Sequence, residues 1–373
     1  MDYSQLKKPA LLFDEDRCRK NIRAMVDKAA RHRVELNPHF KTHQSRIIGS
    51  WFREEGIGKI TVSSLRMARY FYQDGWEDIT IAFPVNIRQS DQLDDLAANI
   101  NLTLFVNNLV AAQQLDQHLS NPVHVYTEID TGYQRTGIPH KKLDAIERLL
   151  DHFEHSEWLE FKGFYTHAGQ TYDATDNEQI AEIHSLTLHR LNRLKKRLSG
   201  KYPDIRISIG DTPSCSISQN FAGVHSIHPG NFVFYDLNQF RISSCSIDQI
   251  AVALACPVVS RRPERRELIL HGGAVHLSKQ FELTKDQQPY YGLPVTLETS
   301  GWSGPWSNSH LRSLSQEHGI LKCNKEQFNA YEVGDLVGIL PIHACLTCNL
   351  MGHYVSLENE QIDHMEEAAY VDE

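Results

Sequence analysis

The sequence predicts an α/β protein: a TIM-type (β/α)8 barrel with a second, mainly β domain after it. Three observations carry this expectation. Strand-like and helix-like segments alternate about eight times over some 210 residues, the length and rhythm of such a barrel. No strand-like run is followed by a G-x-G-x-x-G turn, which weakens the rival doubly wound open sheet. Beyond about Cys245 the helical pattern gives way to strand-like runs separated by Pro, Gly and Ser. The barrel is therefore expected over residues 14–244 and the β-rich domain over 245–373, joined by the N-terminal strand within 1–13. A chain of 373 residues has ample core for one large and one smaller domain.

Residues 9–13 form a short apolar strand, after which Asp14 or Asp16 can cap a helix running to about Arg33, with Ile22, Met25, Val26 and Ala29 at helical spacing. Residues 34–40 alternate apolar and polar side chains as a strand does, and run out into a helical segment, which leaves Lys41 at a strand end. Strand then alternates with helix: 59–63 and 65–72, 78–83 and 90–98, 102–106 and 109–119. The pattern continues with a strand over 123–130, a helix over 141–153, a strand over 161–167, a long helix over 177–198, and strands over 205–209 and near 225–228. In the second domain 251–259, 267–270, 336–340 and 354–357 read as strands. The stretch 287–308, rich in Pro and Gly among aromatics, reads as a long loop. From Glu358 onwards the chain is acidic, without Lys or Arg, and reads as a solvated tail. There is no internal repeat or low-complexity tract.

Composition excludes several classes of function. The hydrophobic fraction of 41% and charged fraction of 23% are those of an ordinary soluble protein. The 38 basic and 47 acidic residues give a net charge of -9, so no face for nucleic acid is expected. The opening residues have no apolar run behind a basic cluster, and no later stretch reaches membrane-spanning length. Seven cysteines, odd in number and scattered, do not make a disulfide framework, so a reducing cytoplasm is expected.

The chemistry-bearing residues gather at predicted strand ends, where a β/α barrel keeps its site. Lys41 lies between His39 and His43. Its amine becomes a nucleophile when burial or nearby positive charge lowers its pKa; standing alone, it would read as a surface lysine beside two ordinary histidines. Asp130 to Gly137 begins at a strand end, with Arg135 either facing an anionic oxygen or paired with Asp130. His167 and Tyr172 follow another strand; each alone is more often a packed core residue. In Gly210-Asp211-Thr212-Pro213-Ser214, Thr212 can cap and Pro213 suits the first helical position, the geometry that binds phosphate. A second turn, His228-Pro229-Gly230-Asn231, ends the next strand. His343 and Cys345 lie two apart after an apolar run, so on an extended chain they face the same way, and imidazole and thiolate are good zinc ligands. Two protein ligands leave positions for water and substrate. Cys348 completes a C-x-x-C with Cys345, which keeps a redox pair or another zinc arrangement open.

These segments together resemble the D-serine dehydratase and D-threonine aldolase family, fold-type III pyridoxal-phosphate enzymes related to alanine racemase. Pro38-His39-Phe40-Lys41-Thr42-His43 resembles the family's cofactor-lysine segment, where alanine racemases usually differ. Residues 130–137 resemble its D-x-G-x-x-R-x-G segment, 164–172 its Y-x-H-x-G-x-x-Y pattern, and 314–319 its L-S-x-E-H-G segment. His343-Ala344-Cys345 resembles the zinc ligands of the dehydratase branch. The resemblance implies that Lys41 carries pyridoxal 5'-phosphate and takes the α-proton. It further implies that Arg135 meets the phenolate oxygen, that His167 lies against the ring with Tyr172 near its nitrogen or edge, and that Thr212, Gly230 and Asn231 serve the phosphate. His318 would be a proton shuttle or an outer partner of the metal, a surface loop histidine being the other reading. Zinc or manganese would sit on His343 and Cys345, in a homodimer. Two departures stand out: His228 replaces an arginine of the family's R-P-G turn, and Asp211 puts a carboxylate beside the phosphate, so its side chain is expected to point away. The implied activity is a lyase on D-β-hydroxy amino acids, such as D-serine or D-3-hydroxyaspartate, giving keto acid and ammonia. Retro-aldol cleavage is the alternative; the aldolase branch typically has an aspartate where this chain has Cys345. A racemase would need a second acid-base group and no metal, and a cofactor-binding protein without catalysis would stop after the barrel.

Overall fold

The computed structural model describes residues 1–368, in two compact units: residues 23–41 with 49–230, and residues 1–22 with 42–48 and 231 onwards. Strand β1 (Ala10–Phe13) belongs to the second unit. In the first unit, β2 (Glu35–Leu36), β3 (Ile60–Val62), β4 (Asp78–Pro84), β5 (Asn101–Phe105) and β6 (Val123–Asp130) are followed by a two-residue β7 (Ile138–Pro139), then β8 (Leu159–Thr166), β9 (Arg206–Ile209) and β10 (Ser226–Ile227). The order is β2-β10-β9-β8-β6-β5-β4-β3, every neighbour parallel. The two end strands meet through a parallel bridge, His39 to Thr61, with Phe40 N–H donating to Thr61 O at 2.8 Å and Thr61 N–H to Pro38 O at 2.9 Å. That seam closes eight parallel strands into the expected barrel.

Helices α1 (Glu15–His32) and α2 (Arg46–Glu54) are followed by α3 (Leu65–Gln73), α4 (Ser90–Ala97), α5 (Leu109–His118), α6 (Leu143–His155), α7 (Asn177–Leu198) and the short α8 (Thr212–Ile217). Their starts are written in the loops. Ser64 accepts from Met67 N at 3.2 Å, Asn108 from Ala111 N at 2.8 Å and Asp176 from Gln179 N at 2.9 Å, each satisfying an orphan donor of the helix it opens. Phe40 is fully buried, its ring 5.1 Å from Phe52, 4.9 Å from Phe71 and 5.2 Å from Trp76 between centroids. The residue before Lys41 is thus pinned in the apolar layer between strands and helices. Gly163 has no substitute: a Cβ there would lie 2.1 Å from Arg206 O on β9.

The other unit is the mainly β domain. Strands β11 (Val252–Arg262), β12 (Glu267–His271), β18 (His310–Leu314), β19 (His318–Lys322), β20 (Leu336–Pro341), β21 (Tyr354–Ser356) and β22 (Gln361–Ile362) run with β1 in the order β18-β19-β12-β11-β1-β21-β22, and β20 lies between β11 and β15 (Gly292–Val295). Pairing is antiparallel except between β1 and β21. Helices α9 (Leu237–Arg241), α10 (Ala274–Leu277), α11 (Lys325–Ala330) and α12 (Ala344–Met351) complete it, with α13 (Met365–Ala368) at the end of the described chain.

Two expectations are corrected here. The stretch 287–308 is no loop: it holds β14 (Pro289–Tyr290), paired with β13 (Glu282–Leu283), then β15, and the hairpin β16 (Leu297–Glu298) with β17 (Gly301–Trp302). Pairing with β20 makes a strand of a Gly- and Pro-containing run that local propensity disfavours. The acidic end is not wholly a solvated tail. Gln361–Ile362 pairs with β21, and the Asp363 carboxylate accepts from Ser45 Oγ at 2.6 Å, Arg46 N at 2.8 Å and Ile47 N at 3.1 Å at the start of α2. The tail's last residues, 369–373, lie outside the described residues. No helix among the described residues is long and apolar enough to cross a membrane.

Truncating Phe40 removes a side chain with no route to collapse. Phe40→Ala is expected to lower unfolding free energy by about 3–5 kcal/mol in urea titrations. Phe83→Ala, at a ring 59% exposed, should stay within about 0.5 kcal/mol.

Candidate active site

Because the barrel strands are parallel, their C-terminal ends share one rim, and Lys41, Asp130 with Arg135, His167 with Tyr172, Thr212 and Gly230 all follow such ends. Lys41 is half-buried, with its backbone N–H 3.4 Å from His39 Nδ1. His167 Nδ1 lies 3.2 Å from Gly210 O, so the ring carries its proton on Nδ1. Burial, then the charges of Lys41 and Arg135, push the imidazole down to about 3. One neutral ring therefore feels both cations. It stands edge-on to Tyr133 at 5.8 Å and tilted to Tyr172 at 5.9 Å. Arg135 is exposed and sits over the Tyr133 ring at 5.2 Å. Asp130 spends its carboxylate on Gly132 N at 2.7 Å and Gln134 N at 3.1 Å, and makes no ion pair with Arg135 among the described residues.

Asp211, not Thr212, caps α8, accepting from Ser214 N at 2.8 Å and Thr171 Oγ1 at 3.0 Å, while burial pushes its carboxyl up. Tyr172 OH accepts from Thr212 N at 3.3 Å. Among the described residues, Thr212 Oγ1 and Ser214 Oγ are buried without a protein partner. Buried hydroxyls left so are costly, and their donors suit phosphate oxygens. Gly210 is required beside them: a Cβ would lie 1.8 Å from Tyr165 OH. The His228 replacement is also explained. Its Nδ1 lies 2.7 Å from Thr61 Oγ1 and its Nε2 3.0 Å from Ser226 Oγ, and burial, then Lys59, pushes it down to about 3. It is a neutral strut of the barrel seam rather than a phosphate-binding cation.

In the second unit the metal motif is not an extended pair. His343 is the N-cap of α12 and Cys345 stands in its first turn, so both flank a helix start. Cys345 Sγ is 3.2 Å from Thr42 Oγ1 and 3.7 Å from Asn231 Nδ2. Two side-chain donors and a helix N-terminus suit a thiolate, the form that binds a cation. Asp236 organises the turn: its Oδ2 accepts from Ala344 N at 3.0 Å and Asn231 Nδ2 at 2.6 Å, while its Oδ1 caps α9 through Gln239 N at 3.0 Å. Asn231, expected at the phosphate, is brought to Cys345 by these bonds, and its buried Oδ1 has no protein partner. Thr42 lay inside the quoted lysine segment without being singled out. Asp236 had only a capping signal, which does not reveal its bond to Ala344.

His318 is exposed on β19, opposite His271 in the ladder and next to Glu317. His271 Nε2 and His276 Nε2 lie 3.6 and 3.8 Å from Glu317 Oε2. This trio resembles a metal cluster, but Gly273 N–H donates to His276 Nδ1 at 3.1 Å. The His276 proton then sits on Nε2 and faces the carboxylate, leaving no lone pair there for a cation.

Residues 13–236 match the family described as alanine racemase, N-terminal domain, over more than half of the chain. The chain belongs to that family. Residues 251–357 match a second family, described as putative serine dehydratase domain. The D-serine dehydratase of Dictyostelium discoideum is 28% identical over 96% of this chain and 95% of its own. The D-threo-3-hydroxyaspartate dehydratase of Delftia sp. is 28% identical over 92% of each, and its solved structure superposes with a TM-score of 0.87 at 26% identity, covering 96% of this chain and 98% of that one. The 3-hydroxy-D-aspartate aldolase of Paracoccus denitrificans is 23% identical over 97% of this chain and 92% of its own.

The depressed His228 gives a signed pH dependence. Between its ordinary 6.5 and about 3 the unfolded chain binds a proton that the folded His228 does not, so stability falls as pH falls through that window. One group contributes a slope of about 1.4 kcal/mol per pH unit. His228→Gln should flatten the stability profile by about that slope between pH 6 and 4, as read by urea titrations at stepped pH.

Proposed function

We propose that the chain is a pyridoxal-phosphate- and metal-dependent lyase of D-β-hydroxy amino acids, and that it dehydrates them to a keto acid and ammonia. The observation that carries this reading is the 3.2 Å contact of Thr42 Oγ1 with Cys345 Sγ: the hydroxyl belongs to the residue that follows Lys41 in the chain. Support comes from the Dictyostelium and Delftia dehydratases, and from a solved variant of D-threo-3-hydroxyaspartate dehydratase described as being in a metal-free form.

When bound, pyridoxal phosphate supplies an electron sink for negative charge at Cα, and a zinc or manganese cation supplies Lewis acidity for the departing hydroxyl. Lys41 would hold the cofactor by its aldehyde carbon, and its free amine would take the Cα proton as general base. Thr212 and Ser214 hydroxyls would satisfy phosphate oxygens, and Arg135 would meet the phenolate oxygen. Tyr172 is a neutral phenol already accepting from Thr212 N, so it does not hold a ring nitrogen protonated as a carboxylate would. His343 and Cys345 would hold the cation, with Asn231 and Thr42 donating to the sulfur and Asp236 fixing the backbone between the two. Loss of the Cα proton and the β-hydroxyl amounts to loss of water, and hydrolysis of the resulting enamine consumes water to give keto acid and ammonia. A homodimer in the cytoplasm goes with this reading, on the family resemblance and the seven free cysteines.

Incubating the zinc-loaded holoenzyme with D-serine, D-threonine and D-threo-3-hydroxyaspartate should release keto acid and ammonia in equal amounts. Glycine with an aldehyde as the main products would establish the retro-aldol reading, which the Paracoccus relative represents. Cys345→Ala should lower dehydration by at least about a hundredfold and bound zinc below one equivalent, with cofactor absorbance retained. Borohydride reduction and peptide mapping should place the label on Lys41; a label on any other lysine overturns the assignment.

A further inference from the structure

The barrel unit has a cavity of about 420 Å³ between the turn that opens α6 and the long helix α7. His140, Lys141, His189, Arg190, Arg193 and Arg197 line it, and no carboxylate does. In a chain of net charge -9, that concentration of one sign is against the general balance. Arg190, Arg193 and Arg197 stand at i, i+3 and i+7 on one face of α7, where like charges repel. Among the described residues none of Lys141, Arg193 and Arg197 is paired with an acidic side chain. The helix dipole favours a cation in the last turn, which accounts for Arg197 but not for Arg190, four turns' worth of chain from the helix start and two from its end.

Arg190 is also held in place from behind. One guanidinium nitrogen donates to Thr131 O, and a Cβ at Gly132 would come within 3.1 Å of the same nitrogen. A cation fixed by a backbone carbonyl, with its other donors toward a cavity, loses little freedom when an anion arrives. His140 is anchored similarly, its N–H donating to Asp130 O at 3.2 Å. The remaining wall is apolar, from Leu143, Leu186 and Leu194. The volume is that of a small-molecule pocket rather than a track for a polymer.

We propose that this cavity, none of whose lining residues is among those assigned to cofactor or metal, is a second binding site for a small molecule bearing two or more phosphate groups. The fork of Arg193 and Arg197 would take the phosphate oxygens bidentately, with Lys141 opposite and the leucines against the organic part.

Calorimetric titration of the cofactor-loaded full chain with ADP and with inorganic triphosphate, at 0.15 M salt, tests this. Saturable binding with one ligand per chain is expected, weakened at least about tenfold in Arg193→Ala/Arg197→Ala and several-fold in Lys141→Ala, with rates on the D-amino acid unchanged in both variants without ligand. The single lysine variant serves if the double variant fails to fold. Heats that do not saturate, equal affinity in the variants, or tighter binding of a single-stranded oligonucleotide than of ADP would each overturn the proposal, the last by pointing to a polymer instead.

Discussion

The barrel hangs on one threonine. Strands β2 and β10 are two residues long, so the seam has few ladder bonds to spare, and Thr61 supplies most of what closes it. Its N–H and C=O bond to either side of His39, and its hydroxyl donates to Asn37 O at 2.9 Å and meets His228 Nδ1 at 2.7 Å. His39 N–H in turn donates to Pro229 O at 2.8 Å. All these groups are buried, where an unpaired member would cost more than a paired one contributes. Lys41 emerges two residues beyond the bridge, and Phe40 between them is locked by three aromatic rings. The position of the amine is therefore a property of the seam rather than of a flexible loop.

This explains why the departure at His228 does no harm to the fold. An arginine in a buried position at the seam would need a permanent anionic partner; imidazole can be neutral, accept at one nitrogen and donate at the other. Thr61, whose hydroxyl proton goes to Asn37 O, accepts from Nδ1, and the Ser226 hydroxyl donates to Nε2. The positive charge felt at His167 is then left to Lys41 and Arg135.

What the residues disclosed and what they hid follows one physical line. Alternation of strand and helix was legible because capping and periodicity are local: Asp176 opens α7 and the helix ends at Leu198, both as the pattern requires. The helix after β6 starts at Leu143 because residues Ile138–Pro139 first pair with Ile129–Asp130, a contact no local signal announces. The strands within 287–308 and the anchoring of Asp363 have the same character, each made by partners far along the chain. At the site, Lys41, Arg135, His167, Thr212 and Gly230 follow strand ends, a placement set by the local strand pattern. The placement of Asn231 is not, because its destination is decided by Asp236 and by a sulfur 114 residues on.

The two cysteines of the C-x-x-C show how differently one helix turn can treat the same side chain. Cys348 is wholly buried, and burial, then the neighbouring charge of Cys345, pushes its thiol well up. A thiol so placed neither attacks a disulfide nor binds a cation readily, since both need the thiolate. Cys345 is half-buried, one position inside the helix start, with a hydroxyl and an amide directed at its sulfur. The helix start and the two donors favour negative charge on sulfur. The pair is therefore asymmetric, unlike a redox couple in which both thiols take part, and Cys348 packs beneath the turn that carries His343 and Cys345.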